Sequence, residues 1–170
     1  LKSTEPWTVP QAPAAYGLHT DTSYYFRVYA VDAGLALSTA SETGTLWTGV
    51  APAAVTNLAA TQGGAPTSID LSWCATGDDQ TKGTLNNSTF TIQYTTNSTF
   101  TDWSPTVILS SAPLVHIATS SVNPGTTRYY ILNGLLDSTT YYIRIWTKDD
   151  AGLYSAISNA TTAQTIVVVS

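Results

Sequence analysis

A segment of twelve residues occurs twice in this chain, and this repeat constrains the fold more than any other feature. The copies are residues 17–28 and residues 134–145. They lie 117 residues apart, a spacing that indicates repeated domains and is too long for a solenoid unit. The offset becomes 118 at the Asp-Ala-Gly-Leu stretches that follow, at 32–35 and 150–153. The chain is therefore predicted to contain two related units.

Each copy has the alternation of apolar and polar residues that is typical of a β-strand. The residues predicted to share one face are Tyr24, Phe26 and Val28 in the first copy and Tyr141, Ile143 and Ile145 in the second. An Asp-Ala-Gly turn and another Thr-rich strand follow each copy. The glycine of each turn is expected to adopt the positive φ that a tight reversal needs. Each unit is therefore predicted to contain a β-hairpin.

Charged residues are scarce, and this limits the classes of partner. They make up 10% of the chain, against roughly 25% in an average soluble domain, while 43% is hydrophobic. The net charge is −5 and the six basic residues are scattered, which argues against nucleic acid and anionic membrane surfaces as partners. The longest aliphatic run, at 166–169, is too short for membrane insertion. Cys74 has no second cysteine to pair with and is interpreted as a structural thiol.

Residues suited to catalysis or metal binding are few. His19 and His116 are the only histidines, and no Gly-x-Ser-x-Gly motif accompanies them. The acidic pairs at 78–79 and 149–150 fall in predicted turns, where aspartate caps backbone N–H groups. A calcium site needs six or more oxygen ligands. We therefore predict that the chain is not an enzyme, holds no metal and needs no cofactor.

The repeated segments resemble the corner between strands E and F of fibronectin type III domains. The residues that fit this corner are Leu18, Thr22, Tyr24, Phe26 and Val28 in the first copy and Leu135, Thr139, Tyr141, Ile143 and Ile145 in the second. The family often has proline two residues after the leucine, where this chain has Thr20 and Asp137. The resemblance implies that the hydroxyl groups of Tyr24 and Tyr141 bond back to the main chain as corner tyrosines.

The sequence between the copies resembles the remaining strands of such a domain. The matching segments are the linker and first strand at 52–58, strand B at 69–73, strand C at 90–94, a further strand at 103–109 and a fifth at 128–132. A loop at 76–84 separates strands B and C, and Trp73 resembles the buried tryptophan of strand B. The residues that we predict to be critical for the fold are Trp73, Tyr94, Tyr24, Tyr141, Leu18 and Leu135.

The resemblance implies an all-β chain of immunoglobulin-like (fibronectin type III) antiparallel β-sandwiches in tandem, the first one incomplete. Residues 1–50 would supply strands E, F and G and a short strand at 7–9, and residues 51–170 a complete sandwich. Roughly 66 residues that precede Leu135 in the second unit have no counterpart before Leu18. The chain begins with Leu and contains no Met, so we expect a processed product or an excerpt of a longer protein.

Two sources could supply the missing strands. They belong either to another stretch of the same protein or to a neighbouring molecule that donates strands, and the second case predicts a head-to-tail polymer. The apolar segment at 165–169 could be a donor strand, although we favour it as the end of strand G in its own domain. The expected partners are accordingly neighbouring copies or further domains of the same protein.

Three functions remain open at this stage. The leading hypothesis is a structural or spacer module of an extracellular or cell-surface protein, bacterial in type, alone or as the subunit of a fibre. The alternatives are an adhesion module whose loops bind a glycan or a protein, and an accessory domain of a secreted carbohydrate-active enzyme. Candidate glycosylation sites are the Asn-x-Ser/Thr sequons at Asn86, Asn87, Asn97 and Asn159.

Overall fold

The computed structural model describes residues 18–19 and 22–167, without the side chain of Trp47. The described residues form nine β-strands and no helix. The chain divides into two compact units, Leu1–Thr48 and Gly49–Ser170. No helix within 18–19 and 22–167 is long and apolar enough to cross a membrane. The predicted strand E of the first unit and the strand at 7–9 lie outside the described residues.

The first unit contains an antiparallel hairpin of β1 (Thr22–Phe26) and β2 (Gly44–Thr48). Tyr24 pairs with Leu46, and Phe26 pairs with Gly44. The ring of Phe26 lies on the backbone of Gly44, where any side chain would collide with it. A glycine at this position therefore leaves room for the Phe26 ring to lie across the neighbouring strand.

The second unit contains seven strands in two antiparallel sheets. They are β3 (Ala59–Gln62), β4 (Ile69–Cys74), β5 (Thr89–Thr95), β6 (Leu114–Ala118), β7 (Thr127–Leu132), β8 (Thr140–Lys148) and β9 (Thr161–Gln164). The sheet orders are β3-β4-β7 and β6-β5-β8-β9. This is the immunoglobulin-like sandwich with the strand order of fibronectin type III domains. The predicted all-β fold class is confirmed.

The core of the second unit lies between the two sheets and follows from the period-two alternation. The core residues on the three central strands are Ile69, Leu71 and Trp73 on β4, Phe90 and Ile92 on β5, and Tyr141, Ile143 and Ile145 on β8. Trp73 and Phe90 meet edge to face, with ring centroids 5.2 Å apart. The apolar alternation of these three strands thus faces the opposite sheet, as the sequence predicts.

The central strand β5 is buried on its second face as well. Thr91 and Gln93, which point away from the core, are fully buried. The side chain of Gln93 accepts the N–H of Ser104 at 2.9 Å and donates to the carbonyl of Ala112 at 3.2 Å. The connection from β5 to β6 is therefore held over the outer face of the sheet.

Two predicted strand positions are wrong. Residues 103–109 form no strand, because Gln93 binds the backbone of this segment and Pro105 has no N–H to donate to a ladder. The strand that follows β5 is β6, which begins at Leu114. The first strand begins at Ala59 rather than Val55. The side chain of Asn159 donates to and accepts from the backbone of Leu58, at 2.9 Å in both cases, and so takes the place of a strand partner there.

Structurally equivalent positions of the two hairpins keep the 117-residue offset, although the Asp-Ala-Gly-Leu stretches lie 118 residues apart in the sequence. Oδ1 of Asp32 accepts the N–H of Ala36 at 2.9 Å, and Oδ1 of Asp149 accepts the N–H of Leu153 at 2.7 Å. Positive φ occurs at Leu35 (66°) and Gly152 (89°), which are again 117 residues apart. Gly152 behaves as predicted, but in the first turn Leu35 takes the left-handed position expected of its neighbouring glycine.

Candidate interaction surface

Both hairpins contain the corner hydrogen bond that the family resemblance implies. The hydroxyl oxygen of Tyr24 accepts the N–H of His19 at 2.7 Å, and that of Tyr141 accepts the N–H of Leu136 at 2.9 Å. These bonds tie the start of each F strand to the chain five residues before it. The local geometry of the corner is therefore the same in the two units.

Serine hydroxyls extend this likeness to the far end of the hairpins. Oγ of Ser41 accepts the N–H of Val28 at 3.0 Å, and Oγ of Ser158 accepts the N–H of Ile145 at the same distance. Both pairs keep the 117-residue offset. Equivalent side chains thus satisfy equivalent backbone groups, and the two hairpins are copies of one local structure.

Burial, in contrast, differs sharply between the copies. In the second unit Leu135, Tyr141, Ile143 and Ile145 are all at most 6% exposed. In the first unit the corresponding apolar side chains reach solvent, and so does Leu46 on β2. We call these residues the open face: Leu18 (38% exposed), Phe26 (54%), Val28 (65%) and Leu46 (57%).

The opposing sheet explains this difference. In the second unit the apolar side chains of β8 belong to one cluster with Leu71 and Trp73 of β4 and Leu132 of β7. No strand of the first unit within residues 18–19 and 22–48 stands opposite the hairpin. The open face therefore combines the apolar alternation of a core with the solvent exposure of a surface.

The residues that we predict to be critical for the fold occupy separate places. Leu18 and Tyr24 lie in the first unit, while Trp73, Tyr94, Tyr141 and Leu135 lie in the second. Tyr94 on β5 is half-buried and meets the ring of Tyr141 edge to face at 5.9 Å. Burial, together with the neighbouring hydroxyls of Tyr141 and Tyr130, raises the pKa of Tyr94. The six residues thus lie in the core of the second unit or at the corners of the two hairpins. The importance of each residue for folding stays a prediction.

The two acidic pairs come together at one end of the second unit. Burial raises the pKa of Asp78, and the charges of Asp150, Asp149 and Asp79 raise it further. Burial also raises the pKa of Asp149, although its hydrogen bond from the N–H of Leu153 acts in the opposite direction. Within the described part of the chain, no group of three or more acidic, histidine or cysteine side chains is arranged to hold a metal ion.

The acidic residues should make the protein less stable as the pH rises. The pKa values of Asp78 and Asp149 lie above their usual 3.8, so the folded state binds protons more tightly than the unfolded chain. Their stabilising contribution is complete below pH 3.8 and is lost as the pH rises through the folded-state values. We expect Asp78→Asn to raise the urea midpoint at about pH 7 and to change it little at about pH 3.

Circular dichroism of the full chain during urea unfolding measures this effect. Asp70→Asn is the matched control, because it removes one exposed carboxylate on β4 instead of one in the acidic group. The prediction is wrong if Asp78→Asn and Asp70→Asn shift the midpoint equally at both pH values.

A shallow cleft on the second unit escaped the sequence interpretation. Its volume is about 160 Å³, and Asn97, Phe100, Trp103 and Arg144 are among the residues that line it. The guanidinium carbon of Arg144 lies 5.8 Å from the centre of the Trp103 ring. Phe100 meets Trp103 edge to face at 5.0 Å. Trp103 is the first residue of the predicted strand at 103–109, Phe100 lies three residues before it, and Arg144 comes from β8, far along the chain.

Comparisons with known proteins give structural likeness only. No protein-family model matches the sequence, and no curated protein matches it. The structure is similar to the crystal structure of chicken CNTN1 FN1-FN3 domains, with 14% identity and a TM-score of 0.49. This match covers 88% of the chain but 46% of the chicken protein's chain, so the chain spans about half of that structure.

Two smaller structures are also similar. A myokine structure has 19% identity and a TM-score of 0.43, over 68% of this chain and 99% of that one. The solution structures of the fn3 domain of human collagen alpha-1(XX) chain have 19% identity and a TM-score of 0.44, over 71% and 90%. Because the sequence identities and TM-scores are this low, the fold assignment depends on the strand order and the corner tyrosines described above. On those features, the second unit has an immunoglobulin-like, all-β fold of the fibronectin type III kind.

Proposed function

We propose that this chain is a non-enzymatic structural module of an extracellular or cell-surface protein, and that a neighbouring copy completes its first unit by strand exchange. The observation that carries the proposal is the open face. Leu18, Phe26 and Val28 of this face are equivalent by the 117-residue offset to Leu135, Ile143 and Ile145, which are buried in the second unit. A hairpin that has a core pattern and, within residues 18–19 and 22–48, no opposing sheet is suited to receive strands from elsewhere.

The energy available from covering the open face is substantial. Full burial of a Leu, Val or Phe side chain contributes about 1.5–3 kcal/mol. The four side chains of the open face are roughly half exposed, so covering them would add on the order of 3–6 kcal/mol. A two-stranded hairpin is marginal in water without such cover. Completion would therefore stabilise this unit.

Burial of the open face alone does not ensure association. Joining two molecules costs about 4–15 kcal/mol in lost freedom of motion. The partner must therefore contribute its own apolar face, as β3, β4 and β7 do in the second unit, and pair its backbone with a strand edge of the hairpin, as β5 does with β8. When each copy offers a different surface to the next, the contacts are head-to-tail and build a filament.

The experiment measures self-association of the full chain by sedimentation velocity and negative-stain microscopy. We expect the wild-type chain to form concentration-dependent chains and the double variant Phe26→Asp/Leu46→Asp to remain monomeric. Tyr25→Asp is the matched control, because Tyr25 is 73% exposed on the opposite face of the same hairpin. A wild-type chain that stays monomeric at every concentration, or a double variant that assembles like the control, would contradict exchange between copies.

A binding module is the second candidate function. The observation that favours it is the cleft beside Trp103, where aromatic rings and the Arg144 guanidinium stand together. Its volume of about 160 Å³ lies below the roughly 300–1,000 Å³ of typical small-molecule pockets. A free ligand would therefore bury little of its surface there, and we place this function second. The role of an accessory domain in a carbohydrate-active enzyme has no separate observation in its favour.

A further inference from the structure

We propose that Asn97 carries an N-linked oligosaccharide and that the cleft beside Trp103 holds its first sugar. This proposal goes beyond the structural function, because it assigns a modification site and a place for the attached ligand. It rests on the geometry of one sequon, on the hydrogen bonds and burial at the other three sequons, and on the residues that line the cleft.

The sequon Asn97-Ser98-Thr99 lies on an exposed turn just after β5. Oδ1 of Asn97 accepts the backbone N–H of Thr99 at 3.0 Å and its hydroxyl hydrogen at 2.9 Å. All three residues are exposed, and within 18–19 and 22–167 no hydrogen bond engages Nδ2 of Asn97. The nitrogen that would receive the sugar is therefore accessible, while the sequon hydroxyl already contacts the amide oxygen.

In the sequon at Asn159, the side-chain amide is hydrogen-bonded to backbone groups of the fold. Nδ2 of Asn159 donates to the carbonyls of Leu58 at 2.9 Å and Ala160 at 3.2 Å, and its Oδ1 accepts the N–H of Leu58. A sugar on this nitrogen would displace the side chain that holds the start of β3. Folding and modification therefore compete at Asn159.

The two overlapping sequons at Asn86 and Asn87 share a buried serine. Ser88 is 1% exposed and donates to the side chain of Asp78 at 3.2 Å. Oδ1 of Asn86 accepts the N–H of Ser121 at 2.8 Å. Asn87 has a φ of 51° and leads directly into the buried serine. In contrast to Asn97, neither site presents a sequon whose three residues are all exposed.

The cleft is better suited to a tethered sugar than to a free one. Asn97 and Ser98 are part of its lining, together with Phe100, Trp103 and Arg144. A short flexible link gives an attached group an effective concentration in the millimolar range, so weak contacts suffice. Nε1 of Trp103 donates to the carbonyl of Phe100 at 3.0 Å, which fixes the ring for packing against the C–H face of a pyranose.

The covalent step is a glycosyl transfer from a polyisoprenyl-diphosphate oligosaccharide, catalysed by a transferase of the host. Nδ2 of Asn97 attacks the anomeric carbon, and the new N–C1 bond replaces the bond from C1 to the phosphate oxygen. The diphosphate leaves with the electron pair, and the amide proton passes to a base of the transferase. No redox change occurs, so the donor is the only co-reactant.

The test is a mass measurement on the full chain secreted from a eukaryotic host with this transferase. A peptide amidase that converts glycosylated Asn to Asp marks the occupied position. We expect occupancy at Asn97, its loss in Asn97→Gln and Thr99→Ala, and its retention in Thr99→Ser, which keeps the hydroxyl. An unmodified Asn97 in the secreted chain, or full occupancy at Asn159, would overturn the proposal. Occupancy is measured from the mass of the secreted chain, so this test is independent of whether the chain self-associates.

Thermal unfolding tests separately whether the sugar occupies the cleft. Removing the oligosaccharide with the amidase should lower the Tm of the wild-type chain by about 2–4 °C. The same treatment should change the Tm of Trp103→Ala little, because the cleft has lost its ring. Tyr129→Ala is the control, since Tyr129 is 78% exposed on the other sheet, and it should behave as the wild type does. An equal shift in Trp103→Ala and the wild type would show that the sugar does not occupy the cleft.

Discussion

Replacing Trp73 by alanine should lower the free energy of unfolding of the second unit by about 3–5 kcal/mol. The side chain is 2% exposed and packs edge to face against Phe90 between the two sheets. Its removal leaves a cavity that neither sheet can close without disturbing the pairing of β4 with its neighbours. Urea unfolding of the full chain, followed by hydrogen exchange of the β4 and β8 amides, measures the change.

Trp73→Phe is the matched control for this prediction. Within the described residues the indole N–H of Trp73 is buried and has no hydrogen-bond partner. Phenylalanine removes that unsatisfied donor while it keeps an aromatic ring beside Phe90, so we expect a loss of no more than about 1.5 kcal/mol. The prediction fails if Trp73→Ala costs less than about 1 kcal/mol, or if the two variants are equally destabilised.

Replacing Gln93 by leucine should cost about 2–4 kcal/mol, the second largest effect that we expect. The side chain is fully buried and binds the N–H of Ser104 and the carbonyl of Ala112. Leucine is close in volume but leaves both backbone groups without this partner, at about 1–3 kcal/mol for a fully buried group and less for the N–H of the half-buried Ser104. The segment from Thr96 to Pro113 should then exchange its amide hydrogens faster, because its attachment to β5 is lost.

Gln164→Leu controls for a glutamine at a strand surface. Gln164 is exposed on β9 and donates to the carbonyl of Ser138 at 3.4 Å, so its replacement should change stability by less than about 0.5 kcal/mol. Urea midpoints give the free-energy changes, and hydrogen exchange by mass spectrometry locates the affected segment. If Gln93→Leu leaves the exchange of 96–113 unchanged, that segment is held over the sheet by other contacts.

Local features of the sequence predicted the two hairpins well. The alternation around Tyr24 and Tyr141 predicted the strands, and the resemblance to the corner of fibronectin type III domains implied a hydrogen bond that the structure contains in both units. Both features depend on residues within a few positions of one another. They can therefore be predicted without knowledge of what the hairpin packs against.

The predictions that failed required knowledge of distant partners. Residues 103–109 have strand-like composition, but the buried side chain of Gln93 binds their backbone from another strand. Val55 and Leu58 are apolar and buried, yet Asn159, about a hundred residues away, replaces a strand partner at Leu58. A side chain that takes over a backbone hydrogen bond leaves no signal in the periodicity.

The candidate sites show the same limit. The acidic pairs at 78–79 and 149–150 were visible in the sequence, but only the fold brings them to one end of the sandwich, where their charges interact. Trp103 and Arg144 form a cleft because β8 runs beside the segment that follows β5. The sequence also contains four sequons, and the hydrogen bonds of the folded chain distinguish Asn97 from the other three.

Local sequence thus fixed the strand alternation, the corner tyrosines and the paired turns, which are nearly the same in the two units. Tertiary structure decided burial. The side chains of Phe26 and Ile143 occupy equivalent places in equivalent hairpins, yet one is 54% exposed and the other 1%. Hydrogen bonds within a hairpin are set by neighbours in the chain, whereas removal of an apolar face from water requires an opposing sheet from far along the chain or from another molecule.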